Sequence, residues 1–187
     1  VQVKIPVKDP QAIINALSSQ EIEIIRNRHY REYDTYFSFE DTNQGYIRYR
    51  EDHFIDNQNN VYNVRSRLTH IGPAREGHVI SNVLLSRSRY IAPAVQSLRF
   101  YREYFKPRLE NEIEKDRLRF LIKYQGTEFF INIDTVIKPS LGSFLEIKSR
   151  TWSRKDAEQK SELATQLAEI IGISVETATP QDYFEML

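Results

Sequence analysis

The sequence predicts an α+β fold in which about eight antiparallel strands close into a barrel with three flanking helices. Many segments alternate charged and apolar residues with a period of two, which is typical of strands. Most of these segments are joined by short links, which favour antiparallel pairing. Three other segments carry helix caps or apolar residues at helical spacing. Closure of that many strands into a barrel would remove their exposed edges.

The predicted elements follow one another along a single domain, residues 1–187. Strands are predicted for residues 1–7, 22–28, 31–39, 46–51, 61–69, 79–90 and 109–122, and two more follow the turns at 125–126 and 139–142. The first helix begins at Asp9-Pro10, because Asp suits an N-cap and Pro suits the first helical position. The second helix covers residues 92–105, and the third runs from an N-cap at Ser153 to a stop before Gly172.

Composition excludes several classes of protein. Lys and Arg number 26 and so do Asp and Glu, so there is no global charge that would favour nucleic acid or a membrane surface. The chain has no cysteine, which excludes disulfides and thiolate metal sites. No apolar run approaches the ~20 residues that span a bilayer. A cytoplasmic protein is therefore expected. The chain begins at Val1, inside the first predicted strand, as expected for a piece of a longer multidomain protein.

The positive charge is concentrated in the middle of the chain. Residues 46–123 contain 15 Lys and Arg against 9 Asp and Glu, an excess of six. From residue 150 onward the chain has 4 basic and 7 acidic residues. An anionic ligand is therefore expected to bind the middle of the chain.

Basic residues recur at alternate positions, with one residue between them, on successive predicted strands. These sets are Arg48/Arg50, Arg65/Arg67, Arg87/Arg89 and Lys115/Arg117/Arg119. On a single strand, alternating charge usually means that one face lies in water. Arg predominates here, however, and Arg grips phosphate oxygens with paired donors. Like charges on neighbouring strands repel unless an anion lies among them. We therefore expect the charged faces to line a central tunnel and the apolar faces to lie under the helices.

Over almost its whole length the chain resembles the CYTH domains, also called triphosphate tunnel metalloenzymes. The residues that carry the resemblance, in chain order, are Lys4, Tyr33-Asp34, Tyr36-Phe37, Arg48-Tyr49-Arg50-Glu51, Leu68-Thr69, Gly72-Pro73, Lys115-Asp116-Arg117, Ile133-Asp134-Thr135-Val136, Leu141-Gly142, Phe144-Leu145-Glu146-Ile147 and Tyr183-Phe184-Glu185-Met186-Leu187. Each motif alone is weak, and their order and spacing together are fairly specific.

The resemblance implies an eight-stranded tunnel that binds a triphosphate group. Members of the family include triphosphatases that act on tripolyphosphate, thiamine triphosphate or RNA ends, and a class of adenylate cyclases, and they use Mg or Mn. The implied phosphate-binding residues are Lys4, Arg48, Arg50, Arg65, Arg67, Lys115 and Arg117, and the repeated pairing adds Arg87. Asp134 and Glu146 are the implied metal ligands and catalytic carboxylates, since a metal and a carboxylate orient the attacking water.

The sequence departs from the family at its acidic positions. The family opens with Glu-x-Glu-x-Lys, but Gln2 stands at the second Glu position and the first would precede Val1. A later Glu-x-Glu pair reads Glu146-x-Lys148, and Arg87 and Arg89 stand where other members have acidic residues. Mg binds carboxylate oxygens, so these replacements weaken a metal site.

Two functions of different class remain open at this point. One is a triphosphate, polyphosphate or nucleotide binder with weak or absent hydrolysis. The other is an active Mg- or Mn-dependent triphosphatase that works with Asp134 and Glu146 alone. A purely structural role is the third option. Since CYTH-like domains occur fused to P-loop kinases resembling uridine kinase, a kinase-like domain is the expected attached partner, and nucleic acid is not expected.

Overall fold

A computed structural model describes residues 1–72, 78–80, 83–84 and 89–187. The strands are β1 (Gln2–Val7), β2 (Glu23–Ser38), β3 (Tyr46–Ile55), β4 (Val61–Ile71), β5 (His78–Ile80), β6 (Val83–Leu84), β7 (Arg89–Pro93), β8 (Leu109–Tyr124), β9 (Thr127–Lys138) and β10 (Gly142–Lys148). The helices are α1 (Pro10–Ala16), α2 (Leu98–Phe105) and α3 (Arg154–Ile170), and short 3-10 helices include Tyr183–Met186.

The strands form one antiparallel sheet in the order β5-β6-β1-β10-β9-β8-β2-β3-β4-β7. Eight of them have five or more residues, and β5 and β6 are shorter. Within the described ranges, the hydrogen-bonded ladder does not join β5 to β7, so pairing does not close the predicted barrel. The sheet still curls strongly, as the contacts of Asp182 show. Its carboxylate lies 3.7 Å from Lys4 Nζ on β1 and 3.5 Å from Arg89 Nη2 on β7. The result is a tunnel-like β-fold.

The apolar faces of β1, β8, β9 and β10 lie under two of the helices, as the alternation predicts. One buried cluster joins these strands to the two helices. It contains Ile13 of α1, Leu17 just after α1, Leu163 and Leu167 of α3, and the strand residues Val3, Ile5, Ile131, Ile133 and Leu145. Tyr101 of α2 packs with Phe37 and Tyr49 in a smaller cluster. Full burial of one large apolar side chain contributes about 1.5–3 kcal/mol. Most of the stabilising core therefore lies outside the sheet. A smaller buried cluster that includes Tyr36, Tyr46, Ile113, Val136 and Phe144 lies on the inner face beside the charged residues.

The predicted helix caps are confirmed. Asp9 accepts hydrogen bonds from the backbone N–H groups of Gln11 and Ala12, at 3.0 and 3.2 Å. Ser153 Oγ accepts one from Asp156 N at 3.1 Å. The chain leaves α3 through Gly172, whose φ of +80° favours glycine. None of the helices in the described ranges has the length and apolar character that a bilayer crossing requires.

Three predicted boundaries need correction. Residues 23–38 form one strand, β2, rather than two, because β2 pairs with β8 from Glu23 to Ser38 with one irregularity near residue 25. Helix α2 begins at Leu98 rather than residue 92, because residues 89–93 pair with β4 and Ser97 caps the helix. The predicted strand 79–90 lies partly outside the described residues, and its described parts belong to β5, β6 and β7.

Candidate functional site

The inner face of the sheet is lined with buried charges. Alternation places every second residue of a strand on the same face, so the charged positions of neighbouring strands converge. Among the residues whose burial is described, the buried charged ones are Lys4, Glu32, Asp34, Arg48, Arg50, Asp52, Lys115, Arg117, Asp134, Glu146 and Asp182. Charged side chains are almost never fully buried unless they are paired. The pairing of these residues therefore determines which of them are available to a ligand.

The strand register places opposite charges beside one another. Directly paired positions are Asp34 with Arg50, Glu32 with Lys115, Asp134 with Arg117, Asp52 with Arg65, and Glu146 with Lys4. Opposite charges at such cross-strand positions stabilise a sheet, and like charges destabilise it. Part of the basic lining is therefore neutralised by acidic residues of the chain itself.

Asp34 and Glu32 of β2 bind three of the predicted phosphate-binding cations. Arg50 Nη2 and Lys115 Nζ donate to Asp34 Oδ2 at 2.6 and 2.7 Å. Glu32 Oε2 lies 2.9 Å from Arg50 Nη1, 3.1 Å from Lys115 Nζ and 3.4 Å from Arg117 Nη1. Burial alone would raise the pKa of Asp34, but the charges of Arg50 and Lys115 outweigh it and hold that pKa well below its usual value.

The two predicted metal ligands are also bound to cations. Asp134 accepts hydrogen bonds from Arg117 and, at 2.7 Å, from Tyr183 OH. Glu146 Oε2 lies 2.6 Å from Lys148 Nζ and 3.1 Å from Arg117 Nη2. One guanidinium therefore contacts both carboxylates. Burial would raise the pKa of Glu146, but the charges of Lys148, Arg117 and Lys4 hold it well below its usual value.

These contacts decide whether the residues present fit Mg or Mn. A divalent cation needs several free oxygen ligands. In the part of the chain that the structure describes, no group of three or more His, Cys, Asp or Glu side chains is placed to hold a metal ion. The oxygens of Asp134 and Glu146 face Arg117, Lys148 and Tyr183 instead. This donor set does not fit a divalent cation.

A cavity of about 250 Å³ opens between the strands, and we call it the central cavity. Its eight basic lining residues are Arg48, Arg50, Arg67, Arg89, Arg117, Arg119, Lys148 and Arg150. Its only acidic lining residues among those described are Glu146 and Asp182. The lining therefore has an excess of cations, which Glu32, Asp34, Asp52 and Asp134 neutralise in part from behind it.

Three arginines of the central cavity present buried donors without a partner. The Nε atoms of Arg48, Arg67 and Arg89 are buried and make no hydrogen bond to any described residue. Arg48 is 8% exposed, and its nearest carboxylate oxygen, Asp34 Oδ1, lies 3.9 Å from its Nε. An unsatisfied buried donor costs about 1–3 kcal/mol, more when it is charged. An anion in the cavity would satisfy these donors.

The ammonium group of Lys148 is incompletely compensated in the cavity. Burial, which has the largest effect, and the charges of Arg89 and Arg117 together lower its pKa to about 7, although Glu146 opposes this shift. An amino group loses its proton this readily only where its charged form is poorly compensated. A bound anion would supply that compensation.

The structure brings most of the predicted site residues together. Lys4, Arg48, Arg50, Lys115, Arg117, Asp134 and Glu146 are all buried on the inner face. Arg65 and Arg67 lie farther along β4, where Arg65 Nη2 and Arg67 Nη2 contact Asp52 Oδ2 at 2.8 and 2.7 Å. Arg87 lies outside the described residues. The roles of all these residues remain predictions.

Sequence reasoning assigned no role in the site to several inner-face residues. Glu32 and Asp34 show the same period-two spacing as the basic pairs and could have been found from it. Lys148 and Arg119 were likewise visible on the polar faces of their strands. Asp182 carried no such signal, because it lies outside the strands.

The segment before and within the last 3-10 helix closes one side of the site. Gln181 O accepts a hydrogen bond from Lys4 Nζ at 2.8 Å, and Thr179 N donates to Lys4 O at 2.8 Å. Asp182 accepts a hydrogen bond from Tyr46 OH at 3.1 Å. Lys4 Nζ also lies 3.9 Å from the centre of the Tyr183 ring. These contacts hold a carboxylate and an aromatic ring against the cations.

Comparison with known proteins identifies the fold. No protein-family model matches the chain, and no curated protein matches it significantly. The solved structure of PH1819 from Pyrococcus horikoshii OT3 is similar with a TM-score of 0.71 and 17% identity, over 100% of this chain and 96% of that one. A protein from Vibrio parahaemolyticus that is provisionally named an adenylate cyclase gives a TM-score of 0.66 and 15% identity, over 100% and 95%. A chain of the Mediator head module from Schizosaccharomyces pombe gives 0.56 and 12%, over 90% and 94%. The chain therefore shares its tunnel-like fold with these structures along nearly its whole length.

Proposed function

We propose that this chain binds a triphosphate-containing anion, inorganic tripolyphosphate or a nucleoside triphosphate, in the central cavity, with weak or absent metal-dependent hydrolysis. The observation that carries this proposal is the excess of cations in the cavity together with the unpartnered Nε donors of Arg48, Arg67 and Arg89. Arg binds phosphate oxygens through charge-assisted, often paired hydrogen bonds. The provisional name of the Vibrio neighbour accords with triphosphate binding in this fold.

The finer architecture belongs to the same proposal. We infer that the chain is a CYTH-type domain whose eight longer strands surround the ligand as a closed tunnel. The convergence of β1 and β7 on Asp182 supports this inference, because it brings the two sides of the curled sheet to one carboxylate. The ligand would then meet cations from several strands at once.

Weak hydrolysis follows from the carboxylates. Phosphoryl transfer to water in such a site needs a metal and a carboxylate that orients the water. Asp134 and Glu146 are instead bound to Arg117 and Lys148. Among the described residues, the cavity therefore keeps groups that stabilise negative charge, and its Asp134 and Glu146 carboxylates are not free to activate a nucleophile. The alternative, an active Mg- or Mn-dependent triphosphatase, would require these ion pairs to open.

Arg48→Ala is expected to weaken tripolyphosphate binding about 10- to 100-fold, since a hydrogen bond to a charged group contributes about 1.5–3 kcal/mol. The variant should stay folded, because no carboxylate of the described residues depends on Arg48 for a close contact. Isothermal titration of the purified chain with tripolyphosphate in EDTA measures the effect. Arg99→Ala is the matched control, because Arg99 lies on the exposed surface of α2. Unchanged affinity in Arg48→Ala would remove the central cavity from the binding site.

The same titration distinguishes binding from hydrolysis. Released phosphate is measured in parallel, in EDTA and with added Mg or Mn. Tight binding without release supports the proposal. Metal-dependent release at an enzymatic rate supports the triphosphatase alternative.

Asp182→Asn is expected to strengthen tripolyphosphate binding by about tenfold, because it removes a negative charge from the cavity wall. Asn can still accept the hydrogen bond that Tyr183 N donates to Asp182, so the 3-10 helix keeps its cap. Asp116→Asn is the matched control on the outer face of β8. Equal or weaker affinity in Asp182→Asn would contradict a cavity in which this carboxylate opposes the ligand.

A further inference from the structure

A second basic cavity, of about 200 Å³, adjoins the central cavity. Its lining includes five arginines, which we call the outer arginine cluster: Arg26, Arg28, Arg65, Arg67 and Arg119. No carboxylate lines this cavity among the described residues. Arg67, Arg119 and Phe130 line both cavities, so the two spaces lie side by side.

The outer arginine cluster is only partly neutralised. Asp52 is the buried carboxylate beside it, and this one group serves both Arg65 and Arg67. Arg67 Nε has no hydrogen-bond partner among the described residues. Arg119 Nε donates to the neutral Asn132 Oδ1 at 2.8 Å. Burial lowers the pKa of Arg119, and the charge of Arg117 lowers it further.

The aromatic rings near this cluster are covered by cations. The guanidinium carbon of Arg119 lies 5.5 Å from the centre of the Tyr30 ring and 6.0 Å from that of Phe130. Arg65 and Arg28 lie 5.2 and 5.9 Å from the centre of Phe54. A nucleobase bound by stacking needs a free aromatic face. This end of the site therefore favours an anionic chain that continues past the central cavity over a nucleoside.

We propose that the central cavity and the outer arginine cluster form one continuous track for a linear inorganic polyphosphate longer than three phosphates. This inference rests on the proposed function and identifies its ligand class. The central cavity holds one part of the chain, and the outer arginine cluster binds the phosphates that extend beyond it. Each added phosphate brings negative charge to a cluster of five guanidinium groups in which Asp52 serves Arg65 and Arg67 together.

The test compares tripolyphosphate with size-fractionated linear polyphosphate, in EDTA and at one fixed salt concentration, because salt screens such contacts. The wild-type protein is expected to bind the longer polyphosphate at least tenfold more tightly than tripolyphosphate, with affinity expressed per polyphosphate molecule. The double variant Arg26→Ala/Arg28→Ala should keep the tripolyphosphate affinity within about twofold and lose most of the tenfold difference. Both residues are exposed, so their removal leaves the buried ion pairs intact. Arg31→Ala, on the opposite face of β2, is the matched control and should behave as wild type.

Each other outcome overturns a specific statement. If the wild-type protein binds tripolyphosphate and the longer polyphosphate equally tightly, the continuous track is wrong and the proposed function stands. If the double variant keeps the dependence, the outer arginine cluster is not the site. If neither anion binds, the proposed function itself fails. Preferential binding of a single-stranded RNA oligonucleotide or of ATP over polyphosphate, lost in the double variant, would assign the cluster to that ligand instead.

Discussion

Asp34→Ala is expected to lower the free energy of unfolding by about 3–5 kcal/mol, because it leaves buried cations without their main partner. Arg50 and Lys115 both donate to this carboxylate, and all three residues are buried. A domain of ordinary stability has only about 5–15 kcal/mol in total. Urea unfolding followed by circular dichroism should therefore show a large fall in the midpoint.

Asp116→Ala provides the matched control for this prediction. Asp116 lies on the outer face of β8, where its side chain is 34% exposed and pairs with His29. An exposed pair of this kind contributes about 0–1 kcal/mol. If both variants lose the same free energy of unfolding, burial does not strengthen the pairing of Asp34. A loss below about 1 kcal/mol in Asp34→Ala would contradict the ion-pair account.

Acid should unfold the chain steeply. Burial opposes ionisation of Glu32, Asp34, Glu146 and Asp182, yet neighbouring cations hold each pKa below its ordinary value. A carboxylate with a lowered pKa in the folded state stabilises the fold above its unfolded pKa, and this contribution is lost as the pH falls through its folded pKa. Stability should therefore change little between pH 5 and 6 and decrease below about pH 4. Four such groups make the slope approach roughly 5 kcal/mol per pH unit below about pH 3.

Equilibrium unfolding measured at a series of pH values and constant ionic strength tests this expectation. Asp182→Asn removes one of the four titrating groups and keeps the cap of the last 3-10 helix. The slope for this variant should be smaller by about 1.4 kcal/mol per pH unit. A wild-type stability that stays constant from pH 5 to pH 3 would exclude charged carboxylates from the buried network.

The architecture was predictable from the sequence because it rests on local periodicity. The period-two alternation places Arg48 and Arg50 on one face and Ile47 and Tyr49 on the other, whichever strands they pair with. The caps at Asp9 and Ser153 are equally local. Closure of the barrel and the extents of β2 and α2 depend on pairing with distant strands, so local pattern did not determine them.

The pairing of the charges was not predictable from the sequence. Sequence reasoning gave Arg48 and Arg117 the same role as phosphate ligands. In the structure Arg117 binds Glu32, Asp134 and Glu146, whereas Arg48 has no carboxylate within hydrogen-bond distance among the described residues. This difference depends on strand register. A shift of one residue in the pairing would move every side chain of a strand to the other face of the sheet. The period-two alternation of the sequence determines which residues face inward. The ion pairs in the folded structure then distinguish cations bound to carboxylates from cations that are free to bind a ligand.

The contacts of Lys4 with the C-terminal segment have a consequence for biosynthesis. Gln2 pairs with Leu84 as well as Lys148, but all other strand pairs of β1 are with β10, and Lys4 also binds Gln181. Most contacts of the first strand therefore form only after β10 has been made. Pairings so distant along the chain slow folding, because a long loop must be closed first. While the ribosome is still translating the middle of the domain, the arginine-rich strands lack β10 and the wall that Asp182 and Tyr183 provide. The nascent chain therefore has no complete binding cavity until translation has passed residue 183.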